Sequence, residues 1–252
     1  MPPPAPPDYP AALFSLARLP GLLQSRGAVL LRRMLPGQLL SQWLPVLEKL
    51  YAGADELFES GRMDDWIYQT FYRYGHVDPR SIPDYDLWLR QLLGQPGLRN
   101  LLRTLFGPRA WVLLKDSAPR RQAPQLRDRA IFFHQDQEFI GPLPQAVNVW
   151  IPLTPAGGDW PGLELWLDGP QAPLLNFAMS PPEREQVYAR IPPEARWRPQ
   201  LMPGDILLFT AWTVHRTCFE PGMQQTRYSY ELRLISESDR EGTPSPLLEW
   251  EL

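Results

Sequence analysis

The sequence predicts an α+β protein in which N-terminal helices flank an antiparallel β-sandwich or barrel, and three observations predict it. Up to Phe106 the apolar residues recur at helical spacing, whereas after Gly107-Pro108 short apolar runs are separated by turns bearing Pro and Gly. The 252 residues include 31 prolines, about double the usual ~5%, and ring-locked residues without an N–H favour short strands and ordered connections over long helices. Ten tryptophans suit broad sheet surfaces or an aromatic-lined pocket. Hydrophobic residues at 44% and charged residues at 21% are ordinary for a folded chain with a sizeable core. One domain is expected over residues 11–235, with a helical layer over about 11–107 and a β core over about 108–235. A disordered Pro-rich tail (1–10) precedes it and a C-terminal tail (236–252), expected to be largely disordered, follows.

In order along the chain, Leu13, Phe14, Leu16 and Ala17 predict a short helix from Ala11 to Arg18, ended by Pro20-Gly21. Gly27–Arg32 is an apolar run of strand length. Leu35-Pro36-Gly37 opens a helix from Gln38 to Tyr51, with Leu39, Leu40, Trp43, Leu47 and Leu50 on one stripe. Further helices are expected at Asp64–Tyr74, Asp84–Leu93 and Leu98–Phe106. Beyond Gly107 the predicted strands are Ala110–Lys115, Ala130–Phe133, Ala146–Leu153, Leu163–Leu167, Ile206–Phe209 and Thr226–Ile235. A helical insert at Pro182–Arg190 carries Pro in its first turn.

A formal charge of −3 gives no global attraction to nucleic acid or anionic membrane, both of which require a concentrated basic field. The single cysteine, Cys218, excludes an internal disulfide and any multi-cysteine metal site, as suits a reducing cytoplasm. No stretch reaches the ~18 apolar residues of a membrane span, and Met1–Asp8 lacks the basic segment and apolar core of a signal peptide. A cytoplasmic monomer or homodimer acting on a small molecule is therefore expected.

Three histidines are present, and two of them have company. In Ile131-Phe132-Phe133-His134-Gln135-Asp136, His134 and Asp136 stand two apart after an apolar run, so both side chains project to one side. His215 follows 79 residues after Asp136, at the exit of the apolar run that begins at Asp205. Two histidines and one carboxylate on neighbouring strands make the facial triad of non-haem iron(II) oxygenases, which leaves one octahedral face open. Strand alternation then puts Arg227, Ser229 and Glu231 on one face and Thr226, Tyr228 and Tyr230 on the other. An arginine fork with a hydroxyl two residues on is a receptor for a carboxylate, here the distal end of 2-oxoglutarate. His76 has no such neighbours and is read as structural or surface.

These residues resemble the phytanoyl-CoA dioxygenase family of iron(II)- and 2-oxoglutarate-dependent oxygenases. The resemblance runs from about Arg26 to Ile235 and rests on Phe133–Asp136, Asn148–Leu153, Gly162–Leu165, Pro203–Phe209, His215 and Arg227. It implies a double-stranded β-helix (jelly-roll) core flanked by N-terminal helices. It further implies iron(II) held by His134, Asp136 and His215, with 2-oxoglutarate on the metal and Arg227, helped by Ser229, clamping its far carboxylate. The family's reaction uses O2 to convert 2-oxoglutarate to succinate and CO2 while oxidising an unactivated C–H. Halogenating relatives replace the acidic ligand by a small residue, so Asp136 favours hydroxylation or another oxidation over halogenation. Lys115 stands where relatives carry a polar residue that meets cosubstrate or substrate. Asn148, Trp150, Trp166 and Arg121 are expected at the substrate pocket, with plain core as the other reading of Trp150, and Arg121 lies in a basic loop (116–129) read either as a lid or as solvated surface.

Two other readings use the same residues: a non-catalytic metal-binding sandwich that recruits a partner, and a zinc hydrolase. A filled ligand set speaks against the first, and a carboxylate clamp has no use in the second. The strand at Gly162–Leu167 continues into Asp168-Gly169-Pro170 without the Pro-Gly-Ser-His turn of the usual relatives, so their substrates do not carry over.

Overall fold

A computed structural model describes residues 5–68, 82–176, 178–243 and 247–252, apart from the side chains of residues 128 and 129. Helices α1 (Leu19–Arg26), α2 (Gly37–Ser41), α3 (Leu44–Glu59), α4 (Asp65–Ile67), α5 (Tyr85–Leu93) and α6 (Pro96–Phe106) precede most of the strands, and α7 (Gln137–Ile140) and α8 (Pro181–Ala189) interrupt them. The strands are β1 (Asp8–Pro10), β2 (Ala28–Arg32), β3 (Arg109–Leu113), β4 (Ala118–Gln122), β5 (Val147–Pro152), β6 (Gly162–Trp166), β7 (Arg196–Trp197), β8 (Ile206–Thr210), β9 (His215–Cys218), β10 (Arg227–Ile235) and β11 (Leu247–Glu251).

Among the described residues the strands form two sheets. The larger runs β1-β2-β8-β5-β10-β3-β11, with β4 also on β10, and the smaller runs β7-β6-β9. Pairing is antiparallel except between β1 and β2. This is a double-stranded β-helix sandwich with a helical layer on its larger sheet.

Period-two alternation sorts the strand residues between two cores. Val29, Leu31, Val149, Ile151, Ile206, Leu208, Leu232 and Leu234 face the helices and pack with Leu47, Tyr51, Leu89 and Leu98. The opposite faces, with Leu30, Trp150, Leu207 and Phe209, meet Leu163 and Leu165 of the smaller sheet. Each fully buried Leu, Ile or Val contributes about 1.5–3 kcal/mol of transfer free energy, so both cores stabilise the sheet that carries the site. Tyrosine hydroxyls tie the helices to the strands: Tyr85 Oη lies 2.5 Å from Tyr230 Oη and donates to Ser117 O at 3.1 Å.

Several sequence expectations are corrected. Residues 11–18 form two 3₁₀ turns, and Pro20 sits in the first turn of α1 rather than ending a helix. The missing N–H costs nothing there, and Gly27, at φ 78°, ends α1 in the left-handed region. The helix expected over 38–51 is broken at Gln42-Trp43, with Pro45 again in a first turn. Ala130–Phe133 is not a strand. Only His134 bridges to β9, and Phe133 O is taken by the Arg184 guanidinium at 2.9 Å instead of a strand partner. The supposed loop 116–129 contains β4, a full partner of β10. Both tails are also ordered in part. Asp8–Pro10 pairs with β2, and Leu247–Glu251 pairs with β3, where Trp250 packs on the helical core. Of the helix expected at Asp64–Tyr74, residues 69–74 lie outside the described residues, as does His76.

Candidate metal centre

His134, Asp136 and His215 are brought together. All three are buried, and their potential ligand atoms lie within 4.8 Å of one another. Two main-chain hydrogen bonds of 3.0 Å, exchanged between His134 and His215, fix the first histidine to the start of β9. Asp136 follows at the N-terminus of α7, with Oδ1 3.6 Å from His134 Nε2.

The ring orientations suit a metal. His134 Nδ1 lies 2.8 Å from Phe132 O, and His215 Nδ1 lies 2.9 Å from Thr213 O. A carbonyl only accepts, so both protons sit on Nδ1 and both Nε2 lone pairs are left for a ligand. Burial, and then the neighbouring His134, push His215 down to about 4, so its imidazole is neutral at pH 7, as metal binding requires. Burial alone would raise the Asp136 carboxyl. The Arg233 charge, reinforced by His134 and His215, outweighs burial and holds it well below the usual carboxylate range. Two imidazoles and one carboxylate, with a cavity on one side, form the donor set of non-haem iron(II).

That cavity is bordered by Arg120, Leu163, Thr217, Arg227 and Glu231. Arg227 is 2% exposed, and its Nε and Nη1 have no hydrogen-bond partner among the described residues. Ser229, fully buried, likewise leaves Oγ unpartnered. Burial pushes the Arg227 guanidinium down to about 10, and the compensation from Glu231, Tyr51 and the Trp150 ring 5.2 Å from Cζ is partial. A buried cation with free donors beside a hydroxyl is a receptor waiting for an anion.

The other sequence-predicted residues separate. Asn148 donates to Asp136 Oδ2 and so meets the metal ligand rather than the pocket wall. Trp150 is fully buried in the core between the sheets. Trp166 lies on the opposite face of β6 from Leu163 and Leu165, packed near Phe133 and Leu175; period-two parity takes it away from the cavity. Arg121 pairs with Tyr228 in the β4/β10 register and therefore faces the helices, where Asp55 binds it at 2.6 and 2.9 Å above the Tyr51 ring. Its neighbour Arg120, opposite Ser229, borders the cavity, and Arg121 lines it too although its guanidinium is held by Asp55. Lys115 is exposed in the turn before β4. Cys218 is buried on the side of β9 away from His215 and is not a ligand.

Sequence reasoning missed Arg233, which donates to Asp136 Oδ1 at 3.0 Å. The signal was available, because Arg233 continues the odd-numbered face of Arg227, Ser229 and Glu231. It also missed Gln135, whose amide joins Trp212 O, Ala172 O and the N–H groups of Leu174 and Leu175. Arg184 of α8 was likewise not foreseen. It grips Glu138 at 2.7 Å as well as Phe133 O, bracing the segment that carries both early ligands.

No family model and no curated protein matches the sequence. Solved structures do match. The non-heme α-ketoglutarate-dependent carbocyclase SnoK from nogalamycin biosynthesis aligns over 97% of both chains, with a TM-score of 0.62 and 16% identity. The chain has the fold of these enzymes. The α-ketoglutarate-dependent epimerase SnoN, also from nogalamycin biosynthesis, aligns over 88% of this chain and 82% of its own at a TM-score of 0.55 and 16% identity. The non-heme monooxygenase ThoJ aligns over 88% and 77%, with a TM-score of 0.58 and 16% identity. No helix among the described residues is long and apolar enough to cross a membrane.

Proposed function

We propose that the chain is an iron(II)- and 2-oxoglutarate-dependent dioxygenase of the phytanoyl-CoA dioxygenase type, hydroxylating a C–H of a small secondary metabolite. The observation that carries the reading is the buried Arg227, whose Nε and Nη1 have no hydrogen-bond partner among the described residues, with Ser229 beside the His134, Asp136, His215 triad. The triad alone would also serve zinc, but a zinc hydrolase has no use for a second, anion-receiving site on the same cavity. SnoK and SnoN, which act in nogalamycin biosynthesis, support a secondary-metabolite substrate.

When bound, iron(II) with 2-oxoglutarate would supply the oxidising chemistry for an unactivated C–H. The chain's own residues do the positioning. His134 and His215 offer Nε2 because Phe132 O and Thr213 O hold their Nδ1 protons. Asp136 stays ionised under Arg233 and supplies the anionic ligand. Arg227 and Ser229 would receive the cosubstrate's far carboxylate and so orient it. Leu163 and the buried sandwich behind it exclude water.

The test is an anaerobic titration of metal-free protein with iron(II) and then 2-oxoglutarate, following the visible metal-to-ligand charge-transfer band. A band in the wild type that is missing in Arg227→Ala supports the reading. Its absence from folded, iron-loaded wild type would overturn it.

A further inference from the structure

Both oxygens of Asp136 are already engaged. Oδ1, the oxygen near His134 Nε2, accepts from Arg233 Nη2 at 3.0 Å, and Oδ2 accepts from Asn148 Nδ2. The two donors stand opposite one another in the β5/β10 ladder, so sheet register sets their positions together. Arg233 is itself held from further sides, by Glu231 Oε2 at 3.1 Å and by the carbonyl of Asp116. Glu231 in turn is paired with Arg120 at 2.6 Å. All of these side chains are buried or nearly so, and a buried, hydrogen-bonded carboxylate between two fixed donors is not free to rotate.

Building on the iron and 2-oxoglutarate reading, we propose that Asn148 and Arg233 are positioning residues that keep Asp136 a one-oxygen metal ligand and so hold three coordination positions open. The reasoning is a count. An octahedral metal has six positions; two imidazoles and one carboxylate oxygen fill three, a bidentate cosubstrate takes two, and dioxygen needs the last. Carboxylates bind hard cations through one oxygen or through both. A rotated Asp136 would therefore consume the position that the reaction needs. Asn148 prevents this by occupying Oδ2, and Arg233 fixes the carboxylate plane through Oδ1. The same contacts explain why an amide stands on β5 at a face otherwise filled by Trp150, Leu207 and Phe209.

Manganese(II) is the probe, because water-proton relaxation of the bound ion reports its exchangeable waters without any turnover. Wild type is expected to hold about three waters, of which 2-oxoglutarate displaces about two. Asn148→Leu and Arg233→Met, each checked for fold by circular dichroism, are expected to drop to about two waters as Oδ2 joins the metal. Arg233→Lys, which keeps a cationic donor, is expected to restore the wild-type number. A residue that only stabilised the fold would change melting temperature and leave the water number alone. Equal numbers in wild type and folded variants would overturn the proposal, and so would two waters on the wild type, with no variant needed. No manganese binding, or binding that survives His134→Ala with His215→Ala, would instead remove the metal centre itself.

Discussion

Replacing Arg227 by Met should move two observables in opposite directions. In the free protein the guanidinium is buried with Nε and Nη1 unpartnered, and a buried donor without a partner costs about 1–3 kcal/mol. Methionine fills similar space without that cost, while losing the stacking on Trp150, which offsets about 0.5–2 kcal/mol. The metal-free variant should therefore be at least as stable as wild type, with a melting temperature unchanged or raised by roughly 2–4 °C per kcal/mol gained. The same substitution deletes a charge-assisted pair worth about 1.5–3 kcal/mol to the bound carboxylate. Dissociation of 2-oxoglutarate should weaken by roughly 10- to 150-fold. Calorimetric titration of the metal-loaded proteins reads the second effect, and thermal melting of the metal-free ones reads the first. An affinity within about threefold of wild type would refute the clamp, since that is below 1 kcal/mol. A large loss of stability would show that an interior partner already satisfies Arg227.

Other expectations follow from the same geometry. His134→Ala or His215→Ala should abolish iron-dependent succinate release, measured with matched protein, because each removes one of three ligands. Arg121→Met should destabilise the fold by about 1.5–3 kcal/mol through Asp55 yet leave 2-oxoglutarate affinity unchanged, because Asp55 holds the guanidinium; a changed affinity would show that the charge acts in the cavity that Arg121 lines. For the metal-free protein, His215 is lowered from 6.5 to about 4 by burial, so between these values the unfolded state binds more protons than the folded one. Stability should thus rise with pH across that window, by at most about 1.4 kcal/mol per pH unit from this group. Melting curves from pH 4 to 7 should show this slope in wild type and a shallower one in His215→Leu; equal slopes would remove His215 as the cause.

The chemistry was legible because its residues are set by short-range rules. Alternation of period two put Arg227, Ser229 and Glu231 on one face and would have added Arg233 had it been followed to the end of β10. The same parity, applied to Gly162–Leu167, would have turned Trp166 away from the cavity. What the sequence did not reveal are partnerships across long separations. Arg121 reads as a loop cation until Asp55 arrives from α3, and Arg120 and Arg121 are distinguished only by the β4/β10 register. The edge strands β1 and β11 are short and carry weak patterns, so their pairing depends on the sheet they join rather than on their own propensity. Pro20 and Pro45 misled for a local reason, since proline that ends one helix also opens another.

The charge arrangement on the odd face of β10 explains why one cation there lacks an internal ion-pair partner while the other has one. Asp136 is matched by Arg233, and Glu231 by Arg120 at 2.6 Å, so four buried or nearly buried charges form two neutral pairs linked by the 3.1 Å contact between Arg233 and Glu231. Arg227 lies outside this set and reaches Glu231 only through the field along the strand. A protein gains nothing in stability from leaving a guanidinium in that state, because the desolvation of the charge is only partly compensated. Its retention makes sense only if the compensating anion comes from outside and departs again. The two imidazole ligands bring no anionic charge, so the metal position is left to be balanced by Asp136 and by whatever chelates beside it. A ligand with one carboxylate for Arg227 and a second anionic end for the metal satisfies both demands at once, and 2-oxoglutarate has that charge distribution.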